Sequence, residues 1–188
     1  MYMCLDCGTY YNKQYLTRYE MDSYNCPAIK CCGKVVNIDE IIAPSIYLLN
    51  HKGYMTKFCC SGHSSSAKKT SDNFINFYIM FDDNIIIPEE LIPNIYECEY
   101  SIDDNNEDVS KEEFIKYNGY KYMTIRYSNI DDIDFESTHI EIISNALLLE
   151  QWCELLPEYN DKLNEYVSVG EYKDIRNKIS ELKLTKLV

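Results

Sequence analysis

The sequence predicts an α+β protein. An N-terminal zinc ribbon over residues 1–36 precedes an α+β domain over residues 37–188, built as a mostly antiparallel sheet of about four strands packed with helices. Three observations predict this. Two cysteine pairs bracket the first 33 residues, which carry no helical apolar stripe. Runs rich in aromatic and β-branched residues, bounded by turn signals, follow in the middle of the chain. Helical apolar spacing is concentrated toward the C-terminus, so strands and helices are segregated rather than strictly alternating.

The elements follow in order. Asp39 is placed to cap a helix through about Asn50, with Ile42, Ile46 and Leu49 at helical spacing; Pro44 kinks that helix or delays its start. Gly53 ends it. Tyr54 to Cys60 reads as a strand, 61–72 as a polar loop, and Phe74 to Phe81 as a second strand, with Asp82-Asp83-Asn84 as the turn. Pro88 to Leu91 forms a helical turn, and Ile95 to Ile102 a third strand. Ser110 and Glu113 make a capping box for a short helix to Tyr117. Asn118-Gly119 turns into a fourth strand, Tyr120 to Tyr127. Thr138 and Glu141 make a second capping box, for a helix carrying Ile142, Ile143, Ala146, Leu149 and Trp152 that stops before Pro157. A last helix covers Glu171 to Leu182.

The chain has 188 residues, 46% of them apolar, with only six glycines and five prolines. That is enough for a real core and excludes a disordered chain. Apolar runs such as Ile85–Ile87 are far too short to span a bilayer. The first residues lack the basic and apolar regions of a secretory leader, so a cytoplasmic, membrane-free protein is expected. Nine cysteines in such a setting point to metal binding or chemistry rather than to disulfides.

The formal charge of −13 is unevenly spread. Residues 1–81 carry a net +2, residues 82–136 a net −12 and residues 137–188 a net −3. An acidic middle repels phosphates and attracts basic surfaces.

The cysteines carry the sharpest signal. Cys4-x-x-Cys7-Gly8 forms one half of a site, and Cys26-Pro27 with Cys31-Cys32-Gly33 the other. Zinc takes four soft ligands in a tetrahedron, and two cysteine turns supply them. The ligands are expected to be Cys4, Cys7, Cys26 and Cys31, with Cys32 as the alternative to Cys31 and otherwise packed as a small apolar residue. With four sulfurs the site is closed, hence structural. The intervening tyrosines, Tyr10, Tyr11, Tyr15, Tyr19 and Tyr24, can cover a module too small for its own core.

A second cluster is Cys59-Cys60-Ser61-Gly62-His63, followed by Lys68 and Lys69. Cys60 could serve as a nucleophile with His63 as its base. Cys59 or Cys60, together with His63 and with His51 or Cys98, could bind a second metal. Ser61, Gly62, His63, Lys68 and Lys69 could form an anion- or ligand-binding loop. The plain alternative is two packed strand cysteines before a turn.

The acidic stretch contains Glu97, Glu99, Asp103, Asp104, Glu107, Asp108, Glu112 and Glu113, and a second cluster holds Asp131, Asp132, Asp134 and Glu136. It reads either as a solvated face or as a partner-binding, phosphate-mimicking surface. Calcium or magnesium at Asp103, Asp104 and Asp108 lacks the spacing of a calcium loop.

From Cys26-Pro27 through Val35-Val36, Ile38-Asp39-Glu40 and Gly53-Tyr54 to Cys59-Cys60-Ser61-Gly62-His63, the first 80 residues resemble uncharacterised zinc-ribbon-containing small proteins of Firmicutes and their phages. Thr56, Cys60, Ser61 and Gly62 also resemble a short strand-end motif of the tRNA wybutosine-synthesising methyltransferases. That likeness implies S-adenosylmethionine at the Cys60/His63 turn; His63 stands where that family has arginine. The phage-like resemblance implies an accessory protein of a phage or mobile element.

The leading expectation is a non-enzymatic accessory protein with a structural zinc. It would bind a protein partner with a basic surface through its acidic side, as an inhibitor of a host defence nuclease would. The alternative is an enzyme or small-ligand binder, methyltransferase-like, at Cys60 and His63. Nucleic-acid binding by the ribbon through Lys13, Arg18, Lys30 and Lys34 ranks behind both.

Overall fold

The computed structural model describes residues 2–11, 25–28, 30–62, 75–83, 85–102, 107–129, 135–160, 163, 167, 170 and 172–184. Two antiparallel sheets organise them. The first has three short strands, β1 (Tyr2–Cys4), β2 (Tyr10–Tyr11) and β3 (Val35–Asn37), in the order β2-β1-β3. Val35, near the end of the expected ribbon, pairs with Cys4, and Val36 with Met3.

Because side chains alternate across a strand, β1 faces two ways. Cys4 joins Cys26 and Val35 in a small buried cluster. Met3, wholly buried, joins the main core. The ribbon and the rest of the chain are thus packed together through one strand.

Helix α1 (Ala43–His51) starts late, with Pro44 in its first turn, where the missing N–H costs nothing. The expected cap at Asp39 is not what forms: Ile42 holds the N-cap position without a side-chain bond. The Asp39 carboxylate instead accepts hydrogen bonds from the Ser61 amide (3.0 Å) and hydroxyl (2.9 Å). Asn50, at the far end of α1, donates to Thr56 Oγ1 (2.9 Å) and accepts from the Thr56 amide (3.1 Å), tying the helix to the next strand.

The second sheet contains β4 (Thr56–Ser61), β5 (Ile75–Phe81), β6 (Glu97–Ile102), β7 (Glu107–Asp108) and β8 (Lys121–Asn129), in the order β4-β5-β8-β6-β7. Every pairing is antiparallel. The four longer strands are those expected; two-residue β7 adds an edge. Along β5 burial alternates strictly, with Ile75, Phe77, Ile79 and Phe81 inward.

Helix α2 (Lys111–Lys116) begins with the predicted capping box: Ser110 Oγ accepts from the Glu113 amide, and the Ser110 amide donates to the Glu113 carboxylate (3.0 Å). Helix α3 runs from Phe135 to Leu155 and α4 from Lys173 to Ser180. The Thr138/Glu141 box does not start α3, which is already helical at Phe135. Thr138 is buried, and the Glu141 carboxylate accepts from the Tyr127 hydroxyl on β8.

The helices pack on one face of this sheet. Phe77, Ile79, Met123 and Ile125 meet Leu148, Leu149 and Trp152 in a single core. Trp152 is fully buried, and its indole N–H donates to the Leu91 carbonyl (2.6 Å). Among the described residues no helix is long and apolar enough to cross a membrane.

Candidate metal centre

The two cysteine turns meet head to head. In the first, the Gly8 amide bonds the Cys4 carbonyl (2.9 Å) and the Cys4 amide bonds the Thr9 carbonyl (3.0 Å), curling the chain so that Cys4 and Cys7 point the same way. Gly8 has φ +69°, and a Cβ there would lie 3.0 Å from the Tyr47 ring. In the second turn, the Cys26 amide bonds the Gly33 carbonyl (2.7 Å) and the Cys31 amide the Ala28 carbonyl (3.1 Å). Asn25 and Lys34 bridge beneath it. Gly33 is dictated by space: a Cβ would sit 2.6 Å from Cys4 Sγ and 2.7 Å from the Asp6 side chain.

The result is four sulfurs, from Cys4, Cys7, Cys26 and Cys31, all within 4.8 Å of one another. Cys4 and Cys31 stand 3.7 Å apart and Cys7 and Cys26 3.6 Å apart. A disulfide needs about 2.05 Å, so these are not bonded pairs. An ion with metal–thiolate bonds of about 2.3 Å places its ligands about 3.8 Å apart along each edge of a tetrahedron. The four thiols could therefore hold one metal ion. Among the described residues no other group of three or more histidines, cysteines or acids converges in this way.

The surroundings suit such an ion. The Cys7 sulfur lies 3.2 Å from the Thr9 hydroxyl, whose hydrogen bond draws its thiol down to about 6. Burial pushes the Cys4 thiol up to about 12. A coordinated cation overrides that burial by deprotonating the thiol outright. The Gly33 amide donates to Cys31 Sγ (3.4 Å), and the Tyr11 hydroxyl lies 3.0 Å from Cys26 Sγ. Burial raises Tyr11 to about 12, so its phenol keeps the proton it can donate to that sulfur. Such bonds orient metal ligands and tune their charge. Thr9 carries no motif that marks it in sequence; Tyr11 was expected only as a covering ring.

Cys32, the alternative to Cys31, is exposed and outside the cluster. It is not the packed apolar residue expected of it, because the turn that points Cys31 inward points its neighbour out.

At the second cluster the strand pleat separates the two thiols. Cys59 pairs with Ile79 and packs against the main core, while Cys60 pairs with Tyr78 on the opposite parity. Burial pushes the Cys59 thiol up to about 12, as befits a packed strand residue. Ser61 is buried and engaged by Asp39. Gly62 has φ +84°, and a Cβ there would lie 2.8 Å from Ile75 Cγ2, so this glycine serves the turn. His63, Lys68 and Lys69 lie outside the described residues. His51 stacks on Tyr47, with centroids 5.6 Å apart, and Cys98 pairs with Ile125 in the sheet; neither joins a metal-ligating group with Cys59 or Cys60.

The acidic residues divide. Glu97 and Glu99 lie on β6 and Asp108 on β7, whereas Glu112 and Glu113 are exposed in the first turn of α2, where Glu113 belongs to the capping box. Asp103, Asp104, Asp131, Asp132 and Asp134 lie outside the described residues, as do Lys13 and Arg18, and the Glu107 and Glu136 side chains are likewise not described. Lys30 adopts φ 68° in the second cysteine turn.

Compared with protein-family models, curated proteins and solved structures, the chain matches none of them.

Proposed function

We propose that this chain is a binding protein: a scaffold fixed by one structural zinc ion that engages a macromolecular partner with a basic surface. The observation that carries the reading is the cluster of four thiols. Four thiolates favour zinc over the hard, oxygen-seeking cations, and four protein ligands leave no open position at which a substrate could bind. Zinc here would tie the Cys4 turn to the Cys26–Cys31 turn and hold β1 in place. The acidic stretch supports the nature of the partner, since its field favours a basic surface and opposes phosphate-rich ones. A nucleic-acid enzyme's basic channel has that character, and occupying one would make this chain an inhibitor.

The test is affinity purification of the intact, tagged chain from a bacterial lysate at moderate salt, with metal analysis of the eluate. The reading expects about one zinc per chain and a stoichiometric basic protein that elevated salt releases. A chain that carries no zinc, or that retains nucleic acid instead of protein, overturns it.

A further inference from the structure

The helices cover one face of the five-stranded sheet; the strand residues of opposite parity form the other. A cavity of about 380 Å³ lies on that second face, and strand residues alone line it, among them Phe58, Tyr78, Met80, Glu99, Asp108 and Arg126. Phe58, on edge strand β4, is 56% exposed, a large ring left in water beside this hollow.

The face already shows which chemistry it favours, because it holds two of the chain's own cations. Lys57 Nζ sits 3.8 Å from the centre of the Tyr122 ring. The Arg126 guanidinium grips Glu99 with two parallel bonds (2.7 and 2.8 Å), donates to Asn76 Oδ1 (2.8 Å), and lies 5.7 Å from the Tyr78 ring. Aromatic rings beside carboxylates make good sites for cations, and for arginine above all, whose plane stacks while its fork pairs.

Ingredients of the same kind lie at the rim. Phe58 offers a largely exposed ring that Lys57 Nζ approaches only to 6.0 Å, and Glu97 and Asp108 offer exposed carboxylates that form no close salt bridge among the described residues, Asp108 lying within the field of Arg126. The described charges on this face are Glu97, Glu99 and Asp108 against Lys57 and Arg126, an acidic balance. Phe58 and Glu97 lie on strands three places apart, about 14 Å across the sheet at ordinary strand spacing. One side chain does not bridge that distance; a segment presenting several does.

We propose that this open sheet face docks an arginine-bearing, basic segment of a protein partner, with one guanidinium stacked on Phe58 and others paired with Glu97 and Asp108. This rests on the partner-binding reading above and adds to it the surface and the side-chain chemistry. A phosphate-bearing strand could also use the rings, but it would meet three carboxylates against two cations that are already engaged.

The experiment uses the full zinc-loaded chain and two labelled probes, an arginine-rich dodecapeptide and a single-stranded oligonucleotide of similar length, followed by fluorescence anisotropy near 0.1 M salt. Phe58→Ala and the pair Glu97→Lys with Asp108→Lys change the face. The pair Glu90→Lys with Glu112→Lys changes charge equally, away from it. All five positions are exposed, so the fold is expected to survive, and circular dichroism checks this. The expected result is peptide binding weakened about tenfold or more by each face variant and by less than about threefold in the control. Equal weakening in the control overturns the face while leaving a charge-driven partner intact. Tighter binding of the oligonucleotide overturns both the face and the acidic-surface reading. Peptide that does not bind wild-type protein overturns the face, and the co-purification above then decides the broader reading by itself.

Discussion

Met3→Ala removes a side chain that lies one residue from a thiol of the four-cysteine cluster yet belongs to the main core. Met3 is wholly buried and clusters with residues of α1, the large sheet and α3, while Cys4 faces the opposite way into the cysteine cluster. Truncating a fully buried methionine costs about 2–5 kcal/mol, from lost burial and the cavity left behind. Taking about 3 kcal/mol, and about 2–4 °C per kcal/mol for a chain of this size, the melting temperature should fall by roughly 6–12 °C. Trp152 is the only tryptophan, is fully buried, and sits in the same core, so its fluorescence reports that transition. The expected outcome is a single cooperative transition at lower temperature, with zinc content unchanged. A Trp152 transition within about 1 °C of wild type would show that ribbon and domain do not share a core. Zinc lost together with Met3 would show that the two faces of β1 are not separate in their roles.

Other expectations follow from buried groups. Asp39→Ala leaves the buried Ser61 amide and hydroxyl without their acceptor, which should cost about 1–3 kcal/mol by urea denaturation; an unchanged midpoint would mean that the two groups find other partners. Burial pushes Cys59 to about 12 and Cys98 to about 11, so both thiols should resist alkylation at pH 8 in the native protein, while exposed Cys32 is modified first, as read by peptide mass spectrometry. The same shifts set a pH dependence. Above pH 9 the unfolded thiols ionise while the folded ones keep their protons, so stability falls as pH rises toward about 11–12. A Tm that rises over that window would contradict the placement of these thiols.

What the sequence reveals depends on how local each interaction is. The Ser110/Glu113 capping box reads correctly because donor, acceptor and spacing lie within four residues. The same signature at Thr138/Glu141 misleads because Glu141 is committed to Tyr127, and α3 begins a turn earlier. Asp39 resembles a helix cap for the same local reason, yet its partner is Ser61, far along the chain. Strand positions in the large sheet follow from alternation and turn residues. Their order does not, since β8 inserts between β5 and β6 only once the chain has doubled back. The cysteine spacing fixes three of the gathered sulfurs; which of two adjacent thiols turns inward is decided by the backbone between Cys26 and Gly33. The open sheet face has no signal along the chain, because Phe58, Tyr78, Arg126 and Glu99 come together only through pairing across four strands.

X-ray absorption at the zinc edge of the purified, intact chain reads the ligand shell itself. One zinc per chain surrounded by four sulfurs at about 2.3 Å is expected, with loss of that shell in Cys31→Ser but not in Cys32→Ser. A shell of nitrogen or oxygen ligands at about 2.0–2.1 Å, or no zinc at all, would contradict a four-thiolate zinc site.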